Sequence, residues 1–171
     1  LIISNIVLKK NMNSSLDTVS KADTIAQKTV YSILFSIAFA HLLNDLLQAV
    51  IPAAYPILKE NFNLTFTQIG LITLAYQLAA SILQPMVGLY TDKRPKPFSQ
   101  IFGMLFTLTG IVFLSYASSF SMIIVSVVLV GIGSSIFHPE ASRISFLASG
   151  GKRGLAQSIF QLGGNAGTAI G

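Results

Sequence analysis

The sequence contains no cysteine and no tryptophan, and only 10% of its 171 residues are charged. The lack of cysteine excludes disulfide bonds and thiolate metal sites. A soluble domain would have about 25% charged residues, so the small charged share argues against a soluble globular protein. With 52% hydrophobic residues and a mean hydropathy of +0.69, the composition is typical of an integral membrane protein.

Long apolar runs are what the sequence has instead. Each approaches or exceeds the roughly 20 residues that a helix needs to cross a bilayer. They predict an all-α, multi-pass membrane protein with spans at about 30–58, 65–91, 98–117 and 120–147. A fifth span begins at Gly154 and is still incomplete at Gly171.

Three of these spans carry prolines or helix-start residues that predict local geometry. Pro52 and Pro56 should kink the last third of the first span, because proline removes a backbone donor and clashes with the preceding turn. A short outside loop, 59–64, should follow. Thr65 and Gln68 have the spacing of a capping box at the start of the second span. The fourth span is predicted to continue through Pro139, as a long tilted helix can.

The stretch Gly88–Pro97 joins the second and third spans and is rich in basic residues. Short loops rich in Lys and Arg stay on the cytoplasmic side of a membrane. We therefore expect this loop, the basic loop 149–153 and the N-terminus to be cytoplasmic, in the plasma or inner membrane, with Lys59 on the opposite side. The net charge of +5 then reflects topology and does not indicate a nucleic-acid partner.

The first 29 residues are mostly polar and are predicted to be a cytoplasmic tail. We expect Met12 to be the true start, which would place residues 1–11 upstream of it. N-terminal sequencing that finds residues before Met12 would refute this. The tail has no short apolar core followed by a small-residue cleavage site, so we predict no signal peptide.

The first span carries four polar residues on one helical face. They stand at i, i+3, i+4 and i+7, namely His41, Asn44, Asp45 and Gln48. A carboxylate in the middle of a bilayer costs several kcal/mol unless it faces a partner or water. Either this face lines an aqueous cavity that binds protons or substrate, or it forms a hydrogen-bonded cluster between helices. We favour the cavity, because two titratable groups exceed what packing needs.

The second span carries an uncharged polar stripe at steps of four, four and three. Its members are Thr73, Gln77, Ser81 and Gln84. The stripe can line the same cavity or simply pack against another helix, and the sequence does not decide between these alternatives.

The fourth span contains small residues followed by three titratable ones. Glu140 and Arg143 are three residues apart and can pair on one helical face, whereas His138 projects roughly opposite. If the helix continues, all three lie within the membrane or at its edge. If it ends near Phe137, they lie in a solvated loop.

Metal and enzyme chemistry are poorly supported. His41 and His138 have no evident third ligand, so we expect no metal. No nucleophile turn accompanies the many serines, which disfavours a serine hydrolase. We expect no enzymatic activity and no cofactor.

The fifth span carries glycines at 154, 163, 167 and 171. The last three, Gly163, Gly167 and Gly171, form a seam of one glycine every four residues, which permits close helix packing. The seam is either a tight packing surface or a hinge on a mobile helix.

The inside loop resembles the motif between the second and third helices of the major facilitator superfamily. The resemblance rests on Gly88, Asp92, Lys93 and Lys96, and Arg94 lies within the same motif. Pro95 and Pro97 stand where that family has a glycine and a basic residue. The resemblance implies that this loop acts as a gating element on the inner surface.

The fifth span also carries the resemblance, whereas the fourth departs from it. Gly154, Gly163 and Gly167 are similar to the superfamily's antiporter motif, with Thr168 in place of a proline. The arginine expected in the fourth helix is absent, since Val127 stands there.

Two segments resemble the fosmidomycin resistance branch of the superfamily, His41–Asp45 and Phe137–Arg143. That resemblance implies a 12-helix drug exporter of two six-helix halves, driven by protons through alternating access. Residues 30–171 would be a partial N-terminal half, truncated in its fifth helix. The implied partners are the lipid bilayer, protons, a small-molecule substrate and the missing C-terminal half.

The resemblance also implies roles for individual residues. Asp45 and Glu140 would carry protons, and His41, His138 and Arg143 would counter an anionic substrate such as a phosphonate. An importer of sugars or organic anions is the alternative within the family, although the glycine seam favours export. A membrane-embedded enzyme or receptor is the alternative of another class.

Overall fold

A computed structural model describes residues 28–96 and 98–171. Of the predicted N-terminal tail, only residues 28 and 29 are described, so the prediction that Met12 is the true start lies outside the described residues. The described residues form helices and no strand, which confirms the predicted all-α class. In chain order the helices are α1 (Tyr31–Ala53), α2 (Tyr55–Asn61), α3 (Phe66–Lys93), α4 (Ser99–Ser115), α5 (Phe120–Ala148) and α6 (Arg153–Ile170).

Three helical segments are long and apolar enough to cross a bilayer. They are Tyr31–Asn61, which contains α1 and α2, then Phe66–Lys93 and Phe120–Ala148. The helix α4 is also apolar but has only 17 residues. In α6, glycines occupy the buried side and polar residues such as Gln157, Gln161 and Asn165 are exposed.

The prolines of the first span break it where they were expected to. Helix α1 ends at Ala53, directly after Pro52, and α2 begins at Tyr55 with Pro56 in its first turn. The predicted outside loop 59–64 is wrong at its start, because α2 continues through Asn61. Proline suits the first turn of a helix, so Pro56 starts a new helix as well as ending the old one.

Two side chains cap the helices that start on this side of the bundle. The Oγ1 atom of Thr65 accepts from the backbone N–H of Gln68, whose side chain accepts from the backbone N–H of Thr65, which confirms the predicted capping box. The hydroxyl of Ser119 accepts from the backbone N–H of Met122 at the start of α5. Each cap satisfies helix N–H groups that have no partner within the helix.

The inside loop is shorter than the stretch Gly88–Pro97 suggests. Helix α3 continues through Asp92 and Lys93, so only Arg94 and the residues up to Phe98 separate it from α4. Arg94 has φ −137° and ψ 78°. Proline disfavours the helical conformation in the residue before it, so the helix ends one residue before Pro95.

Helix α5 is at the centre of the bundle and continues through Pro139 to Ala148, as predicted. It packs on both α3 and α4. These contacts are close because glycines lie in them. At Gly110 an added Cβ would lie 2.7 Å from the carbonyl oxygen of Ser126, and at Gly131 it would lie 2.7 Å from that of Tyr76.

Helix α6 packs mainly on α1, with a smaller contact to α5. The glycines Gly163, Gly167 and Gly171 face the carbonyl oxygens of Ala38, Leu42 and Leu46, one turn of α1 after another. Any side chain at Gly163 or Gly167 would meet backbone, which cannot move aside. The predicted seam is therefore a tight packing surface against α1.

The start of α1 and the end of α5 meet at one end of the bundle. The backbone N–H of Val30 donates to the carbonyl oxygen of Ala148 at 2.9 Å, and the Thr29 hydroxyl donates to that of Ser149 at 2.9 Å. Helix α3 runs in the same direction as α5 and ends at this side too. The two basic loops therefore lie at the same end, which agrees with the charge pattern used to assign topology.

Candidate functional site

A polar cleft of about 400 Å³ lies between four helices of the bundle. Helices α1, α3, α5 and α6 all contribute to its wall. The polar side chains that line it are Asp45, Gln48, Tyr76, Gln77, Ser81, Gln84, Ser134, His138 and Thr168.

His41 lies behind the cleft wall and is only 3% exposed. Its ring stacks on Phe160 of α6, with centroids 4.0 Å apart and planes inclined by 16°. Its Nδ1 atom is 2.8 Å from the carbonyl oxygen of Phe160. Its Nε2 atom is 3.1 Å from Oδ2 of Asp45. His41 therefore connects α6 to the carboxylate without itself reaching the cleft.

Asp45 is half-buried and faces the cleft, as predicted. Its Oδ2 atom meets His41, and its Oδ1 atom lies 3.8 Å from Nε2 of His138 on α5. The carboxylate thus has an imidazole on each side, from two different helices. His138 lies on the opposite side of α5 from Glu140, as predicted, and the structure shows that it is the His138 side that faces the cleft.

Asn44 is fully buried and belongs to the packing between helices rather than to the cleft wall. Its Nδ2 atom donates to Oδ1 of Asp45 at 3.2 Å. Its Oδ1 atom accepts from the hydroxyl of Thr107 on α4, also at 3.2 Å. Both interpretations of the polar face in the first span therefore apply, each to different members. Asp45 and Gln48 line a cavity, whereas His41 and Asn44 bond to neighbouring helices.

Gln48 ties α1 to α3 at the cleft. Its Oε1 atom accepts a hydrogen bond from the hydroxyl of Tyr76. Its Nε2 atom is buried and has no hydrogen-bond partner among the described residues. A buried amide donor without a partner is costly, so this nitrogen is available to a ligand or to water.

The polar stripe of the second span divides in the same way. Gln77, Ser81 and Gln84 line the cleft. Thr73 lies further along α3 and bonds to the hydroxyl of Tyr55 on α2 at 2.8 Å. The alternative left open by the sequence is thus resolved in favour of the cavity for three of the four residues.

Glu140 and Arg143 form an ion pair within α5, with Oε2 and Nη2 2.9 Å apart, as predicted. Glu140 is 1% exposed, and neither residue lines the cleft. The Oε1 atom of Glu140 and the Nε atom of Arg143 are buried without a hydrogen-bond partner among the described residues. The pair of Glu140 and Arg143 is therefore separate from the cleft, whereas His138 of the same predicted group joins Asp45 there.

A metal ion would require donor atoms that converge on one point. One donor atom from each of His41, Asp45 and His138 lies within 4.8 Å of the others. Asp45 is the third donor that is not evident from the sequence. Two of these three potential metal ligands, His41 and Asp45, already contact each other through a hydrogen bond. The absence of a metal stays a prediction.

The loop residues singled out by the sequence lie apart from the cleft. Gly88 faces Pro139, but an added Cβ there would be 3.6 Å away, an ordinary contact. Asp92, Lys93, Arg94 and Lys96 are exposed. Their gating role stays a prediction.

Among the fifth-span glycines, Gly154 differs from the others. An added Cβ there would meet nothing within 4 Å. The glycines at 163, 167 and 171, unlike Gly154, take part in the packing against α1.

Several residues at the site are not predicted by the sequence patterns. Tyr76, Thr107 and Phe160 have no charged residue near them in the sequence that would draw attention to them. Phe160 also acts through its carbonyl oxygen, which no side-chain pattern reveals. Gly164 contacts both His41 and Asp45. The double glycine at 163 and 164 could have indicated a second close contact, because a seam of one glycine every four residues needs only one of the two.

The described residues thus form a bundle of apolar helices, three of them long enough to cross a membrane, around a polar cleft. The sequence matches the family described as Major Facilitator Superfamily over residues 37–171. The chain belongs to the major facilitator superfamily, which confirms the resemblance carried by the loop and the fifth span.

Individual relatives narrow the comparison. The chain is 55% identical over 150 residues to the fosmidomycin resistance protein of Escherichia coli strain K12, which covers 88% of this chain and 37% of the relative. It is 51% identical over 153 residues to the uncharacterised MFS-type transporter YfnC of Bacillus subtilis strain 168, covering 90% of the chain and 36% of the relative. It is 29% identical over 149 residues to the probable sulfoacetate transporter SauU of Cupriavidus necator strain H16, covering 84% of the chain and 34% of the relative.

The chain therefore spans about a third of the length of these relatives. No solved structure was found to match it.

Proposed function

We propose that this chain is the N-terminal part of a secondary active transporter that exports a small anionic compound in exchange for protons. The observation that carries the proposal is the cleft, where Asp45 and His138 face an open space inside a bundle of apolar helices. An aspartate at the centre of a membrane helix costs about 3 kcal/mol. Such residues mark ion and substrate pathways more often than packing contacts.

The substrate class follows from the donors in the cleft and from the relatives. The cleft offers the His138 imidazole and several amide and hydroxyl groups, all of which can donate hydrogen bonds to an oxyanion. The similar proteins are named for fosmidomycin and for sulfoacetate, which carry a phosphonate and a sulfonate group. An organic oxyanion, with fosmidomycin as the first candidate, fits both observations.

Asp45 is the proton carrier in this proposal. It faces the cleft and has polar partners on both oxygens, so it can exchange a proton with water there. Glu140 is buried against Arg143 away from the cleft, and we therefore assign the proton to Asp45 alone. For the same reason His138, and not Arg143, is the donor that faces the bound anion.

The proposal also covers the orientation of the transporter in the membrane and its second half. The basic loops at one end of the bundle support a cytoplasmic N-terminus in the plasma or inner membrane. A second half of the same polypeptide would close the open side of the cleft, as in the two-half architecture of this superfamily. The proton gradient would supply the energy, with no cofactor.

Inverted membrane vesicles that contain the full-length transporter test this function. With an acidic interior, they should take up labelled fosmidomycin, and a protonophore should abolish the uptake. Vesicles without the transporter are the control. Uptake that does not respond to the gradient would overturn the proposal. Release of preloaded substrate together with protons would instead support an importer.

A further inference from the structure

The proton content of His41 can be deduced from its two contacts. Its Nδ1 atom is 2.8 Å from the carbonyl oxygen of Phe160. A carbonyl oxygen can only accept a hydrogen bond, so Nδ1 must carry a hydrogen. If the ring is neutral, Nε2 then has a lone pair and no hydrogen.

The contact of Nε2 with Asp45 therefore requires one further proton. Nε2 lies 3.1 Å from Oδ2 of Asp45, and without a proton the two atoms would be acceptors facing each other. The proton can be on Nε2, giving imidazolium and carboxylate, or on Oδ2, giving imidazole and carboxylic acid. Both forms contain one shared proton and have zero net charge.

The groups around this pair come from every helix that packs on it. From α5, Nε2 of His138 is 3.8 Å from Oδ1 of Asp45. From α1 itself, Asn44 donates to the same oxygen. From α3, Tyr76 is engaged with Gln48. Helix α6 contributes no titratable side chain here within the described residues, only the carbonyl oxygen of Phe160.

Gly164 of α6 provides the space that the pair occupies. An added Cβ at this position would lie 2.8 Å from Oδ2 of Asp45 and closer still to Cε1 and Nε2 of His41. Gly163 and Gly167, by contrast, face only the backbone of α1. Gly164 is thus the glycine of α6 whose missing side chain lets an imidazole and a carboxylate meet.

We propose that Asp45 binds its proton jointly with His41, and that α6 positions this pair through the carbonyl oxygen of Phe160 and the absent side chain of Gly164. The inference deepens the proposed function, since the shared proton is the one that would be exchanged for substrate. On release, the proton passes from Oδ2 to water in the cleft and leaves a carboxylate facing a bare Nε2. Phe160 and Gly164 are positioning residues, and a displacement of α6 relative to α1 would change the proton affinity of the pair.

A proton titration of the purified full-length transporter in detergent tests this inference. The reference is the same protein with both His41→Gln and Asp45→Asn, which lacks the pair. Over the pH range in which the pair takes up its shared proton, the wild type should bind one proton more than the reference. In Gly164→Ala the midpoint should shift by about one to two pH units toward acid, because a charge-assisted hydrogen bond is lost.

Gly110→Ala is the matched control. Its added Cβ would be crowded between α4 and α5, with 2.7 Å to the carbonyl oxygen of Ser126, but it does not touch the pair. Its titration midpoint should equal that of the wild type. An equal shift in both variants would reduce Gly164 to a general packing role and overturn the inference.

His41→Gln separates positioning from folding. On its own it should shift the midpoint of Asp45 toward acid by a similar amount, and adding Gly164→Ala should then cause a much smaller shift than it causes in the wild type, because the closest contacts of the added Cβ are with His41. Additive shifts would contradict this. If Gly164→Ala does not fold, an unchanged midpoint in His41→Gln overturns the inference by itself. The titration does not require transport, so a wild type that binds the proton but fails in vesicles would refute only the proposed function.

Discussion

Two groups of ionisable side chains lie inside this bundle, and they are organised in opposite ways. The cluster of His41, Asp45 and His138 draws its members from α1 and α5, is bonded to α6, and opens to the cleft. The pair of Glu140 and Arg143 lies within one helix and is turned away from the cleft. A group shared between helices responds when they move, whereas a pair within one helix moves as a unit.

The difference assigns different tasks to chemically similar residues. An aspartate in contact with a cleft and with three helices can couple its proton to helix movement. A glutamate that is 1% exposed and bonded three residues along its own helix mainly neutralises the charge of Arg143. The three predictions that follow test this distinction, beginning with the largest expected effect.

Replacing Glu140 with glutamine should mainly destabilise the protein. The change leaves the Arg143 charge without a counterion, and breaking a buried ion pair costs about 3–5 kcal/mol. The cost should be toward the lower end, because Arg143 keeps some contact with solvent. A lower thermal unfolding midpoint of the detergent-purified transporter would be the measurement.

The transport activity that remains in Glu140→Gln should have the same pH dependence as that of the wild type. Glu60→Gln, at an exposed position on the other side of the bundle, is the control and should change neither property. A changed pH dependence in Glu140→Gln would break the comparison, since it would make Glu140 a second proton carrier.

Replacing His138 with glutamine should weaken substrate binding more than it affects folding. The loss of an imidazole donor facing the cleft should raise the Kd for fosmidomycin about tenfold or more, because hydrogen bonds to a charged oxyanion are strong. Binding can be measured by calorimetry on the full-length protein. Ser142→Ala, one turn further along α5 and outside the cleft wall, is the matched control. Unchanged affinity in His138→Gln would show that the anion binds elsewhere.

Replacing Tyr76 with phenylalanine should have the smallest effect. The change removes the hydroxyl that donates to Gln48 and leaves the ring in place. One neutral hydrogen bond is worth about 1 kcal/mol, or about fivefold in affinity or rate. Fosmidomycin uptake by inverted vesicles should fall by no more than that, and a complete loss would mean that Tyr76 contacts the substrate directly.

Much of the fold follows from local patterns. The spans, the break after Pro52 and the Thr65 cap depend on residues close in sequence, and so they could be predicted. The end of α3 was misplaced because Asp92 and Lys93 look like loop residues by charge. Their backbone still completes the last helical turn before Pro95 stops it.

The site could be predicted only in part, because its geometry depends on contacts between distant residues. The spacing of His41 and Asp45 predicts that they share one helical face. It does not predict that His138, on another helix, lies close to Asp45. No pattern reveals a carbonyl oxygen such as that of Phe160 as a partner for His41. The sequence likewise treated Asp45 and Glu140 as equivalent carboxylates, and only their surroundings in the bundle separate them.

Asp45→Asn in proteoliposomes tests the central claim most directly. The full-length variant should still bind fosmidomycin, because His138 and the amide groups of the cleft remain. Adding fosmidomycin to wild-type liposomes should drive proton movement in the opposite direction, detectable with an internal pH dye, and the variant should show none. Proton movement at the wild-type rate in Asp45→Asn would contradict the account.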